Sequence, residues 1–120
     1  SCPDGFFPKK KVLDKVKKGK IKLFDNPKEA VLGADVLITD TWESMGMKKK
    51  NNALKKFKDF QINSNLLKKT KKKTSVLHCL PAHRGNEITN EIIDGKHSLV
   101  WDEAQNRLYA HQSILFWCLK

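Results

Sequence analysis

His78-Cys79-Leu80-Pro81-Ala82-His83-Arg84-Gly85-Asn86-Glu87 is the stretch on which the reading of this chain turns. It sets a thiol, two imidazoles and a guanidinium just after Thr74-Ser75-Val76-Leu77, which reads as the end of a short apolar strand. Pro81 has no N–H with which to extend a strand's ladder, so the reactive groups fall where strand gives way to loop. In open α/β sheets, ligands gather beyond the carboxyl ends of the strands. A second such end is read at Val36-Leu37-Ile38-Thr39-Asp40, whose apolar, β-branched run lacks strict alternation, as expected of a central parallel strand covered on both faces.

Working outward, Pro8 is placed to open a helix carrying Val12, Leu13 and Val16, with Gly19 as its stop. Ile21-Lys22-Leu23-Phe24 alternates as a short strand. Asn26-Pro27-Lys28-Glu29 combines a capping residue, Pro at the first helical position and Glu two residues later, which predicts a brief helix through Leu32. Ala53, Leu54 and Phe57 share a helix face, and Asn63 caps a short helix with Leu66 and Leu67. Thr89 caps another with Ile92 and Ile93 that stops at Gly95, and Ser98-Leu99-Val100-Trp101 reads as a strand. Ala104, Leu108, His111, Leu115 and Cys118 recur at helical spacing in the last and longest element. The alternation of strands and helices predicts an α/β fold, a doubly wound parallel sheet with helices on both faces. A sheet of that kind normally opens on a central apolar strand. This chain opens on a loop and a peripheral helix, so the sheet is expected to be incomplete at its amino-terminal end.

A length of 120 residues, with 39% hydrophobic and 31% charged, fits one soluble domain. No apolar run approaches the ~20 residues needed to span a bilayer, and no charged-then-apolar leader opens the chain, so no membrane association and an intracellular setting are expected. Cys2, Cys79 and Cys118 are odd in number and unrelated in spacing, which favours reduced thiols. The net charge of +11 invites a nucleic-acid reading. Of the 24 basic residues, however, only Arg84 and Arg107 carry the planar fork that phosphate and base recognition favour. The lysines of 9–22, 48–58 and 68–73 are therefore assigned to solvated faces, and a nucleic-acid partner is not expected.

Asp40 is followed by Ser44-Met45-Gly46, so one turn can offer a carboxylate, a hydroxyl and backbone N–H groups to a small ligand. A carboxylate suits an ammonium and free N–H groups suit a carboxylate; together they suit an amino acid. The same residues also serve as ordinary turn and cap partners, and spacing alone does not choose between the two. His78, Cys79 and His83 supply three zinc-type donors, but no fourth shares the motif. His97 and His111 are read as surface or helix-face residues, Trp42 and Trp101 as packing residues, and Cys118 as a small hydrophobe on the apolar face of the last helix.

With both segments in view, Asp40-x-x-x-Ser44-Met45-Gly46 and His78-Cys79-Leu80-Pro81 resemble the two signatures of the ornithine carbamoyltransferase family. Arg84-Gly85-Asn86-Glu87-Ile88-Thr89, Ile93-Asp94-Gly95 and Asp102-Glu103-Ala104-Gln105-Asn106-Arg107-Leu108 resemble its closing segment in order and spacing. The resemblance runs from about Lys20 to the C-terminus. Sister aspartate carbamoyltransferases are similar in architecture but usually carry Pro where this chain has Cys79.

The resemblance implies that residues 1–120 are part of a carboxyl-terminal, ornithine-binding domain. The whole enzyme would join carbamoyl phosphate and L-ornithine into citrulline and phosphate, with no cofactor and no metal. It implies that Asp40 contacts the substrate amino group, that Ser44 and Met45 help hold the amino-acid end, and that Cys79 is the proton acceptor. The Cys79 and Leu80 carbonyls would receive the carbamoyl NH₂, Arg107 would reach carbamoyl phosphate, and Leu80-Pro81 would be cis. It also implies a homotrimeric full-length enzyme, cytoplasmic or in the mitochondrial matrix of a eukaryote, and a terminal helix that crosses to an amino-terminal domain. That domain's Ser-Thr-x-Thr-Arg phosphate motif does not occur in these 120 residues. The other function class left open is a truncated, non-catalytic module that binds an amino acid or a polyanion.

Overall fold

The protein is described by a computed structural model over residues 1–16, 20–42 and 51–120, with the side chains of 51–53 left aside. Two short strands organise it. β1 (Val36–Thr39) and β2 (Ser75–His78) pair in parallel, with Val36 opposite Ser75 and Thr39 opposite His78. The start of this register is tied down by the buried Thr74, whose hydroxyl lies 2.7 Å from the Ala34 carbonyl and 2.9 Å from that of Lys71, and by Ser75 N–H donating to the Asp35 carbonyl at 3.0 Å. Parallel strands cannot be joined by a hairpin, so the chain between them crosses over. That crossover holds α3 (Asn51–Phe57), a 3-10 turn (Lys58–Phe60) and α4 (Ser64–Leu67).

The helices begin largely where their capping chemistry places them. Before α2 (Pro27–Ala30), Asn26 Oδ1 accepts the Lys28 N–H at 3.0 Å and its amide donates to Glu29 Oε1 at 3.0 Å. Asn63 Oδ1 accepts the Leu66 N–H at 3.0 Å and starts α4. Thr89 precedes α5 (Asn90–Ile93), but its side chain makes no capping bond, contrary to the expectation. The core is one cluster of Val31, Leu37, Ile62, Leu66, Val76, Ile88, Ile92, Ile93 and Val100. It gathers α2, β1, α4, β2, α5 and the first residue of α6 (Val100–Cys118) around the two strands.

The α/β class stands, and the Leu80-Pro81 bond is cis. Several finer expectations do not hold. Ile21–Phe24 joins no ladder among the described residues; the Cys2 N–H donates to the Phe24 carbonyl at 3.2 Å, and Ile21 and Leu23 remain exposed. Alternation can supply a strand's faces but not its partner. The predicted strand 98–101 shrinks to a single parallel bridge between Val76 and Ser98, because the chain turns into α6 at Val100. The first helix is one turn, α1 (Lys10–Leu13), with Val12 and Val16 exposed; Gly19 lies outside the described residues.

β1 is not covered on both faces. Leu37 points into the core, while Val36 and Ile38 face outward, Ile38 at 70% exposure, with no cover among the described residues. Beyond its first turns α6 is likewise uncovered: Leu108, Leu115, Phe116, Trp117 and Leu119 are exposed, the last two at 80% and 85%. Cys118 is exposed too, so it is not the buried small hydrophobe expected of it. Trp42 packs, 5.6 Å centroid to centroid from Phe57, which also meets Phe6 and Phe60; Trp101 does not and is exposed. Among the described residues no helix is long and apolar enough to cross a membrane.

Two measurements check this arrangement. A Cβ at Gly95 would lie 2.4 Å from the Glu91 carbonyl oxygen, so Gly95→Ala should lower the free energy of urea unfolding by about 1–3 kcal/mol, as overpacking typically does. The exposed apolar end of α6 should make the isolated 120-residue chain self-associate in sedimentation velocity at moderate salt despite its charge. A monodisperse monomer would show that this end finds burial within the chain.

Candidate functional site

The register of the sheet brings the two predicted loops together. Asp40 follows β1 and Cys79 follows β2, and because Thr39 and His78 are opposite each other these two residues leave the sheet side by side. The Cys79 thiol donates to Asp40 Oδ1 at 2.9 Å, and the same oxygen accepts the Thr41 N–H at 2.7 Å. The thiol's hydrogen bond, helped by the Thr41 N–H and by His78, holds the Asp40 carboxyl below the ordinary carboxylate range, against a smaller opposing effect of burial. Cys79 shifts the other way. Its hydrogen bond to Asp40 comes first, then burial, then the negative charges of Asp40 and Glu103, and together they push the thiol above its ordinary value. The pair rests as carboxylate and thiol, not as thiolate.

Behind Cys79 the loop is held from several directions. Leu80 has φ of 53°, a left-handed conformation that costs a non-glycine residue about 1–2 kcal/mol. Its N–H donates to His78 Nδ1 at 2.9 Å. Nδ1 is therefore the acceptor of that imidazole, which assigns the proton to Nε2, 3.1 Å from Glu87 Oε1. Both side chains are fully buried. Glu87 Oε1 also accepts the His83 N–H at 2.5 Å, while Oε2 is buried with no partner among the described residues, a position that carries a desolvation cost. Thr41 Oγ1 lies 2.8 Å from His83 Nδ1 and so bridges the two loops.

The first turns of α6 complete the site. Glu103 Oε2 accepts the His78 N–H at 3.0 Å, and Arg107, one turn on, donates from Nη1 to the Cys79 carbonyl at 3.3 Å. Arg84 points elsewhere. It forks onto Asp94, Nη2 to Oδ1 at 2.9 Å, and reaches Asn90 at 3.3 Å, fastening the far end of the loop to α5. Gln61 donates to the Gly85 and Asn86 carbonyls at 2.7 and 2.8 Å. His97 Nδ1 lies 2.8 Å from the Thr74 carbonyl and His111 is exposed on α6; neither is near the Asp40–Cys79 pair in the bonding network.

Of the residues expected at the site, Asp40, Cys79, Leu80 and Arg107 are brought together. Ser44 and Met45, with Gly46, lie outside the described residues. Thr41, Glu87 and Glu103 were not foreseen. The i, i+4 spacing of Glu103 and Arg107 would have placed them on one helix face, while nothing in the sequence signals that Glu87 turns back to His78. A cavity of about 430 Å³ lies beside β1 among Val31, Leu37, Trp42 and Phe57. Asp40 is part of its lining but Cys79 is not, so it does not coincide with the Asp40–Cys79 pair.

Chemically, the arrangement offers a carboxylate for a cation, a thiol that ionises more readily to a basic thiolate once its partner is otherwise engaged, and a guanidinium beside a carbonyl. Asp40→Asn removes the charge that raises the thiol while leaving an oxygen for it to donate to. The half-point of Cys79 alkylation by iodoacetamide, followed on its own peptide apart from Cys2 and Cys118, should therefore move to lower pH. An unmoved profile would show that Asp40 does not govern the thiol.

Residues 1–118 match the family described as aspartate/ornithine carbamoyltransferase, Asp/Orn binding domain. Among similar proteins are the ornithine carbamoyltransferases of Rhizorhabdus wittichii, 45% identical over 98% of this chain and 39% of the relative, and of Archaeoglobus fulgidus, 46% identical over 96% and 38%. The solved ornithine carbamoyltransferase of Thermus thermophilus superposes with a TM-score of 0.84 at 38% identity, covering 98% of this chain and 38% of that one. The Giardia lamblia enzyme gives 0.85 at 36% identity, covering 95% and 39%. The chain thus spans about two fifths of the length of these relatives. With its fold, its paired loops and a match over nearly its whole length, the chain belongs to the aspartate/ornithine carbamoyltransferase family, in that family's Asp/Orn-binding domain.

Proposed function

We propose that residues 1–120 act as the ornithine-binding part of an enzyme that transfers a carbamoyl group from carbamoyl phosphate to the side-chain amine of L-ornithine, releasing citrulline and phosphate. The observation that carries this reading is the Cys79–Asp40 hydrogen bond of 2.9 Å at the carboxyl ends of two parallel strands. Cys79, where sister aspartate enzymes usually have Pro, favours ornithine as the acceptor. In this reading Asp40, Ser44 and Met45 hold ornithine, Cys79 and Leu80 offer carbonyls to the carbamoyl NH₂, and Arg107 reaches carbamoyl phosphate. The remaining residues that cradle the phosphate come from an amino-terminal domain. The whole enzyme is a homotrimer of the cytoplasm or the mitochondrial matrix.

The chemistry follows from the charges. A side-chain amine resembles that of lysine, with an unperturbed pKa of ~10.4, and presenting it neutral at pH 7 costs about 4–5 kcal/mol. When the ligand's ammonium takes over Asp40, the thiol loses the hydrogen bond and the unbalanced charge that raise it, and a cation now sits beside it. The thiol can then give up its own proton to solvent, and the Cys79 thiolate so formed accepts the proton of the amine. The neutral nitrogen attacks the carbamoyl carbon and forms a C–N bond, the C–O bond to phosphate breaks with its electron pair leaving on phosphate, and the surplus proton on the nitrogen passes to that departing phosphate. Arg107 favours the negative charge that builds on the carbonyl oxygen during the attack.

The test is citrulline formation from carbamoyl phosphate and ornithine. The 120 residues alone should give none, because Arg107 and a few backbone groups do not replace a phosphate cradle. Supplying the amino-terminal domain of a close relative should restore turnover, and Asp40→Asn in that assembly should weaken ornithine use far more than carbamoyl phosphate binding. Robust turnover by the chain alone, or equal losses for both substrates, would count against this assignment.

A further inference from the structure

We infer that Glu103 is the positioning residue that finishes the carboxyl end of β2, gripping the backbone ahead of Cys79 while Arg107 grips it behind. The need for such a residue follows from how the sheet ends. On the side away from β1, β2 has a single bridge among the described residues: the Val76 N–H donates to the His97 carbonyl at 2.7 Å and the Leu99 N–H to the Val76 carbonyl at 2.9 Å. His78 lies two residues beyond Val76, so its N–H leaves the strand on that same side. By then the neighbouring chain has left the sheet, because Ser98 is its last bridged residue and α6 starts at Val100.

The His78 N–H would therefore face the interior without a backbone acceptor, in a residue only 1% exposed. An unpaired buried donor carries a substantial penalty. Glu103 removes it. The helix that ends the neighbouring strand returns a carboxylate, one turn in, to the position a third strand's carbonyl would have filled, at 3.0 Å and with the added strength of a charged acceptor. Arg107 then meets the Cys79 carbonyl at 3.3 Å. With Glu103 before Cys79 and Arg107 after it, α6 sets the direction in which both the thiol and the carbonyl of Cys79 point.

An acidic residue in the first turn of a helix also has an ordinary role, opposing the positive end of the helix dipole. The two roles separate cleanly. The dipole role needs charge, whereas the acceptor role needs only an oxygen, which Gln retains and Ala does not. The bearing of Glu103 on turnover rests on the carbamoyl-transfer reading; its hold on His78 does not.

The experiment is site-resolved amide hydrogen exchange of the 120-residue chain as wild type, Glu103→Gln and Glu103→Ala. The Val76 amide, bonded to His97, reports the integrity of the sheet. In Glu103→Ala the His78 amide should exchange roughly tenfold faster, as expected for loss of one hydrogen bond to a charged group, with Val76 unchanged. In Glu103→Gln it should remain protected. Alkylation of Cys79, which faces Asp40 from β1, Glu103 and Arg107 from α6 and its neighbour His78, should shift to lower pH in the Gln variant because one negative charge is gone. In the assembly that makes citrulline, Gln should restore the turnover that Ala loses.

His78 protection unchanged by Ala, or lost equally in Gln and Ala, would overturn the inference. If Ala unfolds the sheet and exposes Val76 as well, the Gln variant decides alone, by keeping or losing His78 protection. Absence of citrulline in the wild-type assembly would overturn the proposed function, while the exchange data would still decide the role of Glu103.

Discussion

The pairing of Thr39 with His78 is the constraint on which the site depends. Side chains alternate across a strand with a period of two, so a slip of one residue would exchange the buried and outward faces of β2 and separate Asp40 from Cys79. The buried Val76 and Thr74 oppose that slip from within, since each would lose either core packing or its hydrogen bonds. From that register, two residues with opposite proton preferences meet at the edge of the sheet. The geometry of the Asp40–Cys79 pair is thus a consequence of core packing several residues earlier.

The Asp40–Cys79 pair also has a defined pH window. Asp40 is depressed, so its contribution to stability is present above the carboxyl pKa of the unfolded chain and is lost as pH falls through the folded value. Cys79 is raised, so its contribution is fully present below the unfolded thiol pKa and is lost as pH rises through the folded value. Both are in place together only between the ordinary carboxylate and thiol ranges. Both groups are largely exposed, which keeps the stabilisation modest and makes the pair more consequential for chemistry than for folding.

What could be read in the sequence was local. Asn26 and Asn63 announced their helices because a cap needs only the next three residues, and the strand ends at Asp40 and Cys79 were marked by apolar runs meeting polar turns. What escaped was whatever needed a distant partner. Ile21–Phe24 has a strand's alternation and, among the described residues, no strand beside it; Ser98 pairs for one residue before the helix begins; and Val36 and Ile38 face outward although their run reads as covered, because an apolar run does not say which cover is at hand. The same limit applies at the site. Asp40, Cys79 and Arg107 were legible through their motifs, whereas Glu87 returns to the His78 imidazole from 9 residues away and Glu103 to the His78 backbone N–H from 25.

A chain of net charge +11 must still admit a cation if Asp40 holds an ammonium. The placement of charge makes this feasible. The lysines of 68–73 precede β2, and the site follows it, so a four-residue strand of about 13 Å separates them. That distance exceeds the Debye length of ~8 Å at physiological salt, which screens exposed lysines from the carboxyl end of the sheet. Lys71 is further balanced by Asp35 at 2.7 Å. Among the described residues of the site, Asp40, Glu87 and Glu103 outnumber Arg107, and a unit charge 4 Å from Asp40 gains about 4 kcal/mol at an effective dielectric of 20. Short-range attraction therefore outweighs the screened background. Arg107, whose positive charge stands beside the Cys79 carbonyl, lies at the same end of β2 as Asp40 and away from the lysines of 68–73.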